Sequence, residues 1–384
     1  MKILLSFLQD LDAAPHPIPA YRFWTYYIRN GIREAGMSYT EIPALDWAAG
    51  LVPYENDPAL QTWKAEAWEQ TLSYIKANLQ HIDIFLCYLY PKQIDLQAIK
   101  SIRALGIPCV NFYCDNIRSF TKPPAEFKVF DLMWVPEYEA LGMYQKAMVD
   151  YINLPMPMWV DPKYRNLPAE ETNAFTFIGS KDHLRQQLLA DVINQNLPIQ
   201  IRGNGWAESE KVNATPAPKK TSVFINQLNL LRGAGFNGFI AYHRNRYRQA
   251  APANVPAENI FEKPNFEEYI KLTRESCVTL GINRVPAFHR FNKKLLTYSR
   301  LRDLEAPMLG ASYLTEHTEG LPHLYHIGRE IETYKDVDEL VCKYKEIASS
   351  KTKRMELRKH GQQKALNAHS IPQSLHQIKT RLFG

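Results

Sequence analysis

The chain has 384 residues, of which 45% are hydrophobic and 22% are charged, and its formal net charge is +6. This length predicts two or three domains, each able to bury a core of its own. The composition is that of an ordinary globular protein, which excludes a disordered or fibrous chain, and the mild positive charge favours anionic ligands or membrane surfaces without requiring nucleic acid.

Cysteine usage and the apolar runs indicate the compartment. The five cysteines are odd in number, none has Cys-x-x-Cys spacing, and most lie in apolar runs. We therefore predict reduced core thiols rather than disulfides or a zinc site. The apolar run at residues 1–8 is too short for a signal peptide, and no apolar stretch reaches membrane-spanning length. We expect a cytoplasmic protein without a transmembrane segment, with peripheral membrane contact left open.

Strands and helices alternate through the first 150 residues. The predicted strands are 2–7, 39–42, 81–89, 107–113 and 130–135. The predicted helices are 21–36, 63–79, 95–105 and 137–147. Such alternation predicts a parallel sheet with right-handed crossovers.

The alternation pauses and then restarts. Residues 151–160 are predicted to be a connection, because their prolines exclude a central strand, and residues 161–171 a linker. The later predicted strands are 174–178, 198–201, 277–280 and 311–315. The later predicted helices are 182–195, 266–275, 292–308, 336–347, 351–368 and 370–383. Residues 207–258 break the rhythm and are predicted to be an insertion that contains a helix at 223–232.

These patterns predict an α/β fold with two Rossmann-like domains facing a cleft. The predicted bounds are 1–165 for the first domain, 172–368 for the second, and 369–384 for a C-terminal helix that packs back on the first domain. Ligands of open parallel sheets bind at the carboxyl ends of the strands, so the candidate site residues should follow strands.

The segment Ser299–Glu316 combines a helix and a strand. Arg302 and Glu305 are three residues apart and share one helix face, and the following apolar run predicts a buried strand. One interpretation is that both Arg302 and Glu305 face a ligand. The alternative is that they form an ordinary ion pair on the protein surface.

Two glycine-containing turns follow predicted strands of the second domain. Gly179, Ser180 and Lys181 lead into a helix that carries Arg185, which suits a diphosphate, although a solvated helix start is the alternative. The second turn consists of Gly203, Asn204, Gly205 and Trp206. Its glycines would let a ligand approach the backbone, while Trp206 could stack on a base or pack in the core.

The first domain offers candidate general bases. Asp115 follows a predicted strand, and Asp10, Asp12 and His16 follow the first strand, so any of them could orient or deprotonate an acceptor hydroxyl. For His16, a loop residue between prolines is the alternative. No His-Glu-x-x-His pattern or His/Cys cluster is present, so no metal site is predicted.

Basic residues also allow a nucleic-acid interpretation. The segment Arg232–Arg248 mixes arginines with aromatic residues, which could bind a polyanion, and residues 351–364 form a basic helix. Ordinary solvated faces are the alternative in both places.

The motifs of the second half occur in a familiar order, which resembles that of GT-B-fold glycosyltransferases related to the spore-maturation protein CgeB. The strand ending Phe-Ile-Gly-Ser with an Arg on the next helix, the Gly-x-Gly-Trp turn and the Arg-x-x-Glu-Ala-x-x-x-Gly helix all match that group. The matching segments are Phe177–Ser180 with Arg185, Gly203–Trp206, Arg302–Gly310, Leu321–Tyr334, Asp336–Ile347 and Arg354–Gly361. The likeness covers residues 174–370, apart from the insertion.

The resemblance implies a glycosyltransferase that uses a UDP- or GDP-linked sugar, with no metal and no other cofactor. It implies that Glu305 binds the ribose hydroxyls, that Lys181, Arg185 and the Gly179–Ser180 backbone hold the diphosphate, and that Arg302 lies near phosphate or sugar. The chain departs from the pattern at Thr297, where related retaining enzymes often carry a second acid.

The implied partners are the nucleotide-sugar and a glycan, protein or small-molecule acceptor, and no nucleic acid is expected. The alternative functions are a non-catalytic nucleotide- or glycan-binding protein on the same fold and, less favoured, a nucleic-acid-binding protein.

Overall fold

The structure, a computed structural model, describes residues 1–11, 20–51, 58–206, 253–286 and 295–384. The described chain divides into two compact units. Unit 1 consists of residues 1–165 and 363–384, and unit 2 consists of residues 166–362. Within these residues, no helix is both long and apolar enough to cross a bilayer.

Unit 1 is built on a parallel six-stranded sheet. Its strands are β1 (Lys2–Phe7), β2 (Ser38–Thr40), β3 (Ile84–Tyr88), β4 (Cys109–Phe112), β5 (Leu132–Val135) and β6 (Tyr151–Asn153), in the order β2-β1-β3-β4-β5-β6. Its helices are α1 (Ala20–Glu34), α2 (Pro58–Ala77), α3 (Leu96–Ala104), α4 (Asn116–Ser119) and α5 (Leu141–Ala147). The strands β3, β4 and β5 are buried along their whole length, as the continuous apolar runs predict for central parallel strands.

Unit 2 contains a parallel five-stranded sheet and a two-stranded ribbon. Its strands are β7 (Thr172–Ile178), β8 (Ile199–Arg202), β9 (Ser276–Gly281), β10 (Arg284–Val285), β11 (Leu296–Thr297), β12 (Tyr313–Glu316) and β13 (Glu332–Tyr334). The sheet order is β13-β12-β9-β7-β8, and β10 pairs with β11. Its helices are α6 (His183–Asn194), α7 (Phe266–Glu275), α8 (Arg302–Met308), α9 (Leu321–Leu324), α10 (Val337–Ser349) and the first part of α11 (Lys351–Ala368). The predicted α/β fold with parallel sheets is confirmed.

The last helix, α12 (Ile371–Phe383), belongs to unit 1. The Ile371 N–H donates to the Met158 carbonyl at 3.1 Å. The Ile371 side chain lies so close to Gly31 of α1 that a β-carbon at Gly31 would collide with it. The predicted packing of the C-terminal helix on the first half of the chain is therefore confirmed.

Two predictions about local structure are wrong. Among the described residues of the predicted helix 292–308, which begin at Leu295, the helix starts only at Arg302, because Leu296 and Thr297 pair with β10 and Tyr298 is fully buried. Tertiary pairing has outweighed local helix propensity there. The predicted connection 151–160 begins with an edge strand, β6, which ends before the prolines.

Parts of the predicted insertion lie outside the described residues. These parts include the helix at 223–232 and the segment Arg232–Arg248 on which the nucleic-acid interpretation depended. The five cysteines are free thiols, and Cys342 is exposed whereas the other four are buried.

Candidate functional site

Two predicted loops meet at the carboxyl edge of the unit 2 sheet. The Gly179 N–H donates to the Arg202 carbonyl, and the Lys181 N–H donates to the Asn204 carbonyl, both at 2.9 Å. The indole N–H of Trp206 donates to the Gly179 carbonyl at 2.7 Å. Because β7 and β8 are parallel neighbours, the loops that follow them lie side by side. The structure therefore joins these loops into one hydrogen-bonded surface.

Trp206 belongs to the core of unit 2. It is 3% exposed and meets the Phe177 ring edge-on, with 6.5 Å between the ring centroids. The Lys181 ammonium lies 5.5 Å from the centroid of the indole ring. Of the two alternatives for this side chain, the structure shows core packing, and a part for Trp206 in donor binding stays a prediction.

Gly203→Ala is expected to destabilise unit 2. Gly203 has φ +125°, and an added β-carbon would collide with the Gly179 carbonyl oxygen, which is fixed backbone. We expect the free energy of unfolding to fall by about 1–3 kcal/mol, the usual size of such backbone strain. Urea denaturation followed by circular dichroism measures this change. Gly142→Ala is the matched control, because nothing lies within 4 Å of its β-carbon position. Equal midpoints for the two variants would contradict the prediction.

An acidic cap occupies the start of α6. The Asp182 carboxylate accepts the N–H groups of Leu184 and Arg185, each at 2.9 Å. The Arg185 guanidinium donates to the Ser180 carbonyl at 2.8 Å and lies 3.3 Å from Asp182. Two of the N–H groups at this helix start are thus already satisfied, so the cations of Lys181 and Arg185 are the main attraction that this loop offers an anion.

Glu305 is buried at the start of α8. It is 6% exposed, and the Tyr269 hydroxyl donates to its Oε2 atom. The Arg302 Nε atom lies 3.9 Å from the same oxygen, and the Arg302 guanidinium lies 4.7 Å from the centroid of the Tyr269 ring. The burial of Glu305 excludes the alternative of a surface ion pair.

Asp303 fixes the orientation of α8. Its carboxylate accepts the Tyr313 and Thr315 hydroxyls, both at 2.8 Å, and the Arg300 N–H at 2.9 Å. Burial raises the pKa of Asp303, and these hydrogen bonds oppose that rise. Because Asp303 points to β12, the side chains of Arg302 and Glu305 are presented on other faces of the same turn.

A buried ion pair at the ends of β9 and β12 was missed from sequence. Arg284 donates to Glu316 through two nitrogens, at 2.9 and 2.6 Å, and the backbone N–H groups of Asn283 and Arg284 donate to the other carboxylate oxygen at 3.0 and 2.9 Å. Glu316 is 2% exposed. The available signal was that Glu316 comes directly after one predicted strand and Arg284 four residues after another, but residues 32 apart cannot be paired from spacing alone.

Several charged groups act on the hydroxyl of Tyr334, at the end of β13. Its hydroxyl donates to the Gly281 carbonyl at 2.9 Å. Burial raises its pKa well above the usual value, and Glu316 and Asp303 raise it further while Arg284 and Arg185 lower it. Arg185 and the Arg284–Glu316 pair are therefore both close enough to the Tyr334 hydroxyl to act on it electrostatically.

In unit 1, Asp10 and Asp115 are the described candidate general bases, since Asp12 and His16 lie outside the described residues, and Asp10 forms an ion pair with Arg22 at 2.5 Å. Asp115 follows β4 in the left-handed conformation, with φ 62° and ψ 26°, and its carboxylate lies 3.7 Å from Arg118. The neighbouring Glu137, which follows β5, was missed from sequence. It is completely buried.

No cluster of three or more His, Cys, Asp and Glu residues suited to a metal ion occurs in the part of the chain that the structure describes. The cations around the unit 2 edge are Arg185, Arg284 and Arg302, each beside a carboxylate, and Lys181, whose ammonium lies over the Trp206 ring. Such an arrangement can neutralise a phosphate group.

Comparison with known proteins agrees with this architecture. Among solved structures, a glycosyltransferase from Rickettsia africae has 10% identity and a TM-score of 0.60, covering 100% of this chain and 99% of that one. Sucrose-phosphate synthase from Thermosynechococcus elongatus has 12% identity and a TM-score of 0.55, covering 100% and 98%. A DNA-modifying β-glucosyltransferase, studied with and without uridine diphosphoglucose, has 13% identity and a TM-score of 0.51, covering 99% of each.

These similarities show a GT-B-like α/β fold with Rossmann-like units. No curated protein matches the chain. The family model described as glycosyl transferase-like matches residues 185–380, just over half of the chain. The matched region includes α6 from Arg185 onward, the Arg284–Glu316 pair and the turn that carries Glu305. The chain belongs to the glycosyl transferase-like family.

Proposed function

We propose that the chain transfers a sugar from a nucleoside-diphosphate sugar to a hydroxyl acceptor, and that it does so without a metal ion. The observation that carries this proposal is the buried carboxylate of Glu305, held by Tyr269 and flanked by Arg302 at the donor-side sheet edge. A buried carboxylate with two lone-pair-rich oxygens suits the two ribose hydroxyls of a nucleotide.

The departing diphosphate gains negative charge as the glycosidic bond breaks. In the proposed reaction, Lys181 and Arg185 contact the phosphates, with the Gly179–Ser180 backbone beside them. Fixed cations stabilise developing charge without the cost of reorganising solvent. Arg302 orients Glu305 or serves a phosphate.

The acceptor side of the proposal falls to unit 1. Asp115, at the carboxyl end of β4, is the proposed general base or orienting group for the acceptor hydroxyl. Asp12 and His16 remain predictions for the same task. The acceptor class (glycan, protein or small molecule), the CgeB-like subfamily and the cytoplasmic location likewise remain predictions.

Glu305→Ala tests the proposal. We expect UDP or GDP to raise the melting temperature of the wild-type protein and the variant to bind that nucleotide about 5- to 150-fold more weakly, since charge-assisted hydrogen bonds contribute about 1–3 kcal/mol. Titration calorimetry measures the affinity, and Glu319→Ala, at an exposed position of the same unit, is the control.

The outcomes separate the functions. A wild-type protein that binds no nucleoside diphosphate, or a Glu305→Ala variant that binds as the wild type does, would overturn the proposed donor site. Binding without release of nucleoside diphosphate from any UDP- or GDP-sugar, with any acceptor tried, would instead support a non-catalytic binding protein.

A further inference from the structure

Asp115 adopts a left-handed backbone conformation, which residues other than glycine rarely adopt. Its left-handed φ and ψ place it at the turn between β4 and α4, where most non-glycine residues would be strained. Its own carboxylate does not cap the helix, and its described ion-pair partner is Arg118, at 3.7 Å. The turn must therefore be held by the groups around it.

Glu137 supplies the strongest of those contacts. Both of its carboxylate oxygens accept the backbone N–H of Asn116, at 2.8 and 2.9 Å. The Asn116 side chain is fixed in turn, because its Oδ1 atom accepts the Tyr144 hydroxyl at 2.7 Å and its Nδ2 atom donates to the Tyr113 carbonyl at 2.9 Å. The peptide group that joins Asp115 to Asn116 is thus held by Glu137, a residue that follows the neighbouring strand β5.

The chemistry of this clamp responds to pH. The pKa of Glu137 is raised from 4.5 to about 8: burial raises it most, the hydrogen bonds from Asn116 lower it, and the negative charges of Asp115 and Glu139 add to the rise. Tyr144 also faces Glu137, and burial raises the pKa of its hydroxyl too. The carboxyl group of Glu137 consequently changes its charge near neutral pH.

We propose that Glu137 is a positioning residue of the transfer reaction, which acts through the Asn116 N–H to hold Asp115 in its left-handed conformation. This inference rests on the proposed function, in which Asp115 faces the acceptor hydroxyl. Ionisation of Glu137 strengthens the acceptor oxygens that grip the Asn116 N–H. The side chain of Asp115 is therefore held differently above and below the pKa of Glu137.

The activity test uses the full chain and a panel of UDP- and GDP-sugars, with release of nucleoside diphosphate to water as the reaction. We expect the wild-type rate to show an inflection near pH 8, about the pKa of Glu137, and we expect this inflection to be absent from Glu137→Gln. Tyr144→Phe, which loosens Asn116 but leaves the carboxyl group intact, should keep the inflection and lower the rate several-fold. Glu137→Asp should recover part of the rate lost in Glu137→Ala.

Stability gives a second readout with a defined sign. Because the folded-state pKa of Glu137 is raised, its stabilising effect is complete below about pH 4.5 and is lost as the pH rises towards about 8. The melting temperature of the wild type should therefore fall relative to that of Glu137→Gln across this window.

Selective ¹⁵N-asparagine labelling reads the contact itself, whether or not the protein turns over. We expect the Asn116 amide resonance to titrate with a midpoint near 8 in the wild type and not in Glu137→Gln. A protein that releases no nucleotide but shows this titration would refute the proposed function and the catalytic part of the inference, while the clamp would stand. An Asn116 amide that does not titrate, or superimposable pH–rate profiles of an active wild type and Glu137→Gln, would overturn the inference.

Discussion

Replacing Arg358 by methionine is expected to lower the free energy of unfolding of unit 2 by about 3–5 kcal/mol, the cost of leaving several buried polar groups unsatisfied. Arg358 lies in α11 and is 1% exposed. Its guanidinium donates to the carbonyls of Arg274, Ser276 and Gly310 and to the Glu171 carboxylate. Burial lowers the pKa of Arg358, while Glu171 opposes that change.

The substitution would free these acceptors in places that water cannot easily reach. The three carbonyl acceptors lie at the end of α7, at the start of β9 and in the turn before β12. One side chain therefore links three segments of unit 2 by hydrogen bonds. Urea denaturation followed by circular dichroism measures the loss. Lys359→Met is the control because Lys359 is exposed on the same helix. A loss within about 1 kcal/mol of that control would mean that the carbonyls find other donors.

Glu316→Ala is the second substitution for which we expect a large effect. The substitution leaves the guanidinium of Arg284, whose side chain is 14% exposed, without its carboxylate partner. It also leaves the backbone N–H groups of Asn283 and Arg284 without their acceptor. Removal of one partner from a buried ion pair costs about 3–5 kcal/mol. The segment after β9 should therefore loosen, and the affinity for UDP or GDP should fall together with the melting temperature.

Glu316→Gln separates the charge from the hydrogen bonds. Its amide oxygen can still accept the two backbone N–H groups, so we expect roughly half of the loss seen in the alanine variant. Thermal unfolding and nucleotide titration are measured on both variants and on the exposed control Glu319→Ala. An alanine variant as stable as this control would show that the ion pair makes no net contribution to the free energy of unfolding. Some buried ion pairs in other proteins can be replaced without loss of stability.

Strong local patterns gave accurate element bounds. The helices Phe266–Glu275 and Lys351–Ala368 and the strand Lys2–Phe7 lie where the sequence predicts them. Each has an uninterrupted apolar run or a clear polar start. The helix α10 begins with a side-chain cap, in which the Asp336 carboxylate accepts the Glu339 N–H at 2.9 Å.

Three of the short elements, unlike the edge strand β2, were not predicted, because their stability comes from pairing. The strands β6 and β13 have three residues each and lie at the edges of their sheets, and the ribbon β10–β11 has two residues a side. Segments this short carry no measurable periodicity. Their neighbours in space, which the sequence does not give, decide their conformation.

The candidate site was predictable as a set of loops but not as a set of contacts. Parallel topology places the ends of β7 and β8 side by side, so the glycine turns could be grouped in advance. The partner of Glu305, Tyr269, lies 36 residues away on another helix. Glu137 reaches Asn116 across 21 residues. Pairings at such separations depend on side-chain packing, which spacing and residue type do not encode.

The division of unit 1 between the two ends of the chain affects its synthesis. Residues 166–362 leave the ribosome before residues 363–384, so unit 2 can close while unit 1 still lacks its last helix. Until Ile371 arrives, the surface of α1 around Gly31 stays uncovered on the nascent chain. The segment made first is thus completed last, and during that interval the face of α1 around Gly31 lacks the helix that covers it in the folded unit.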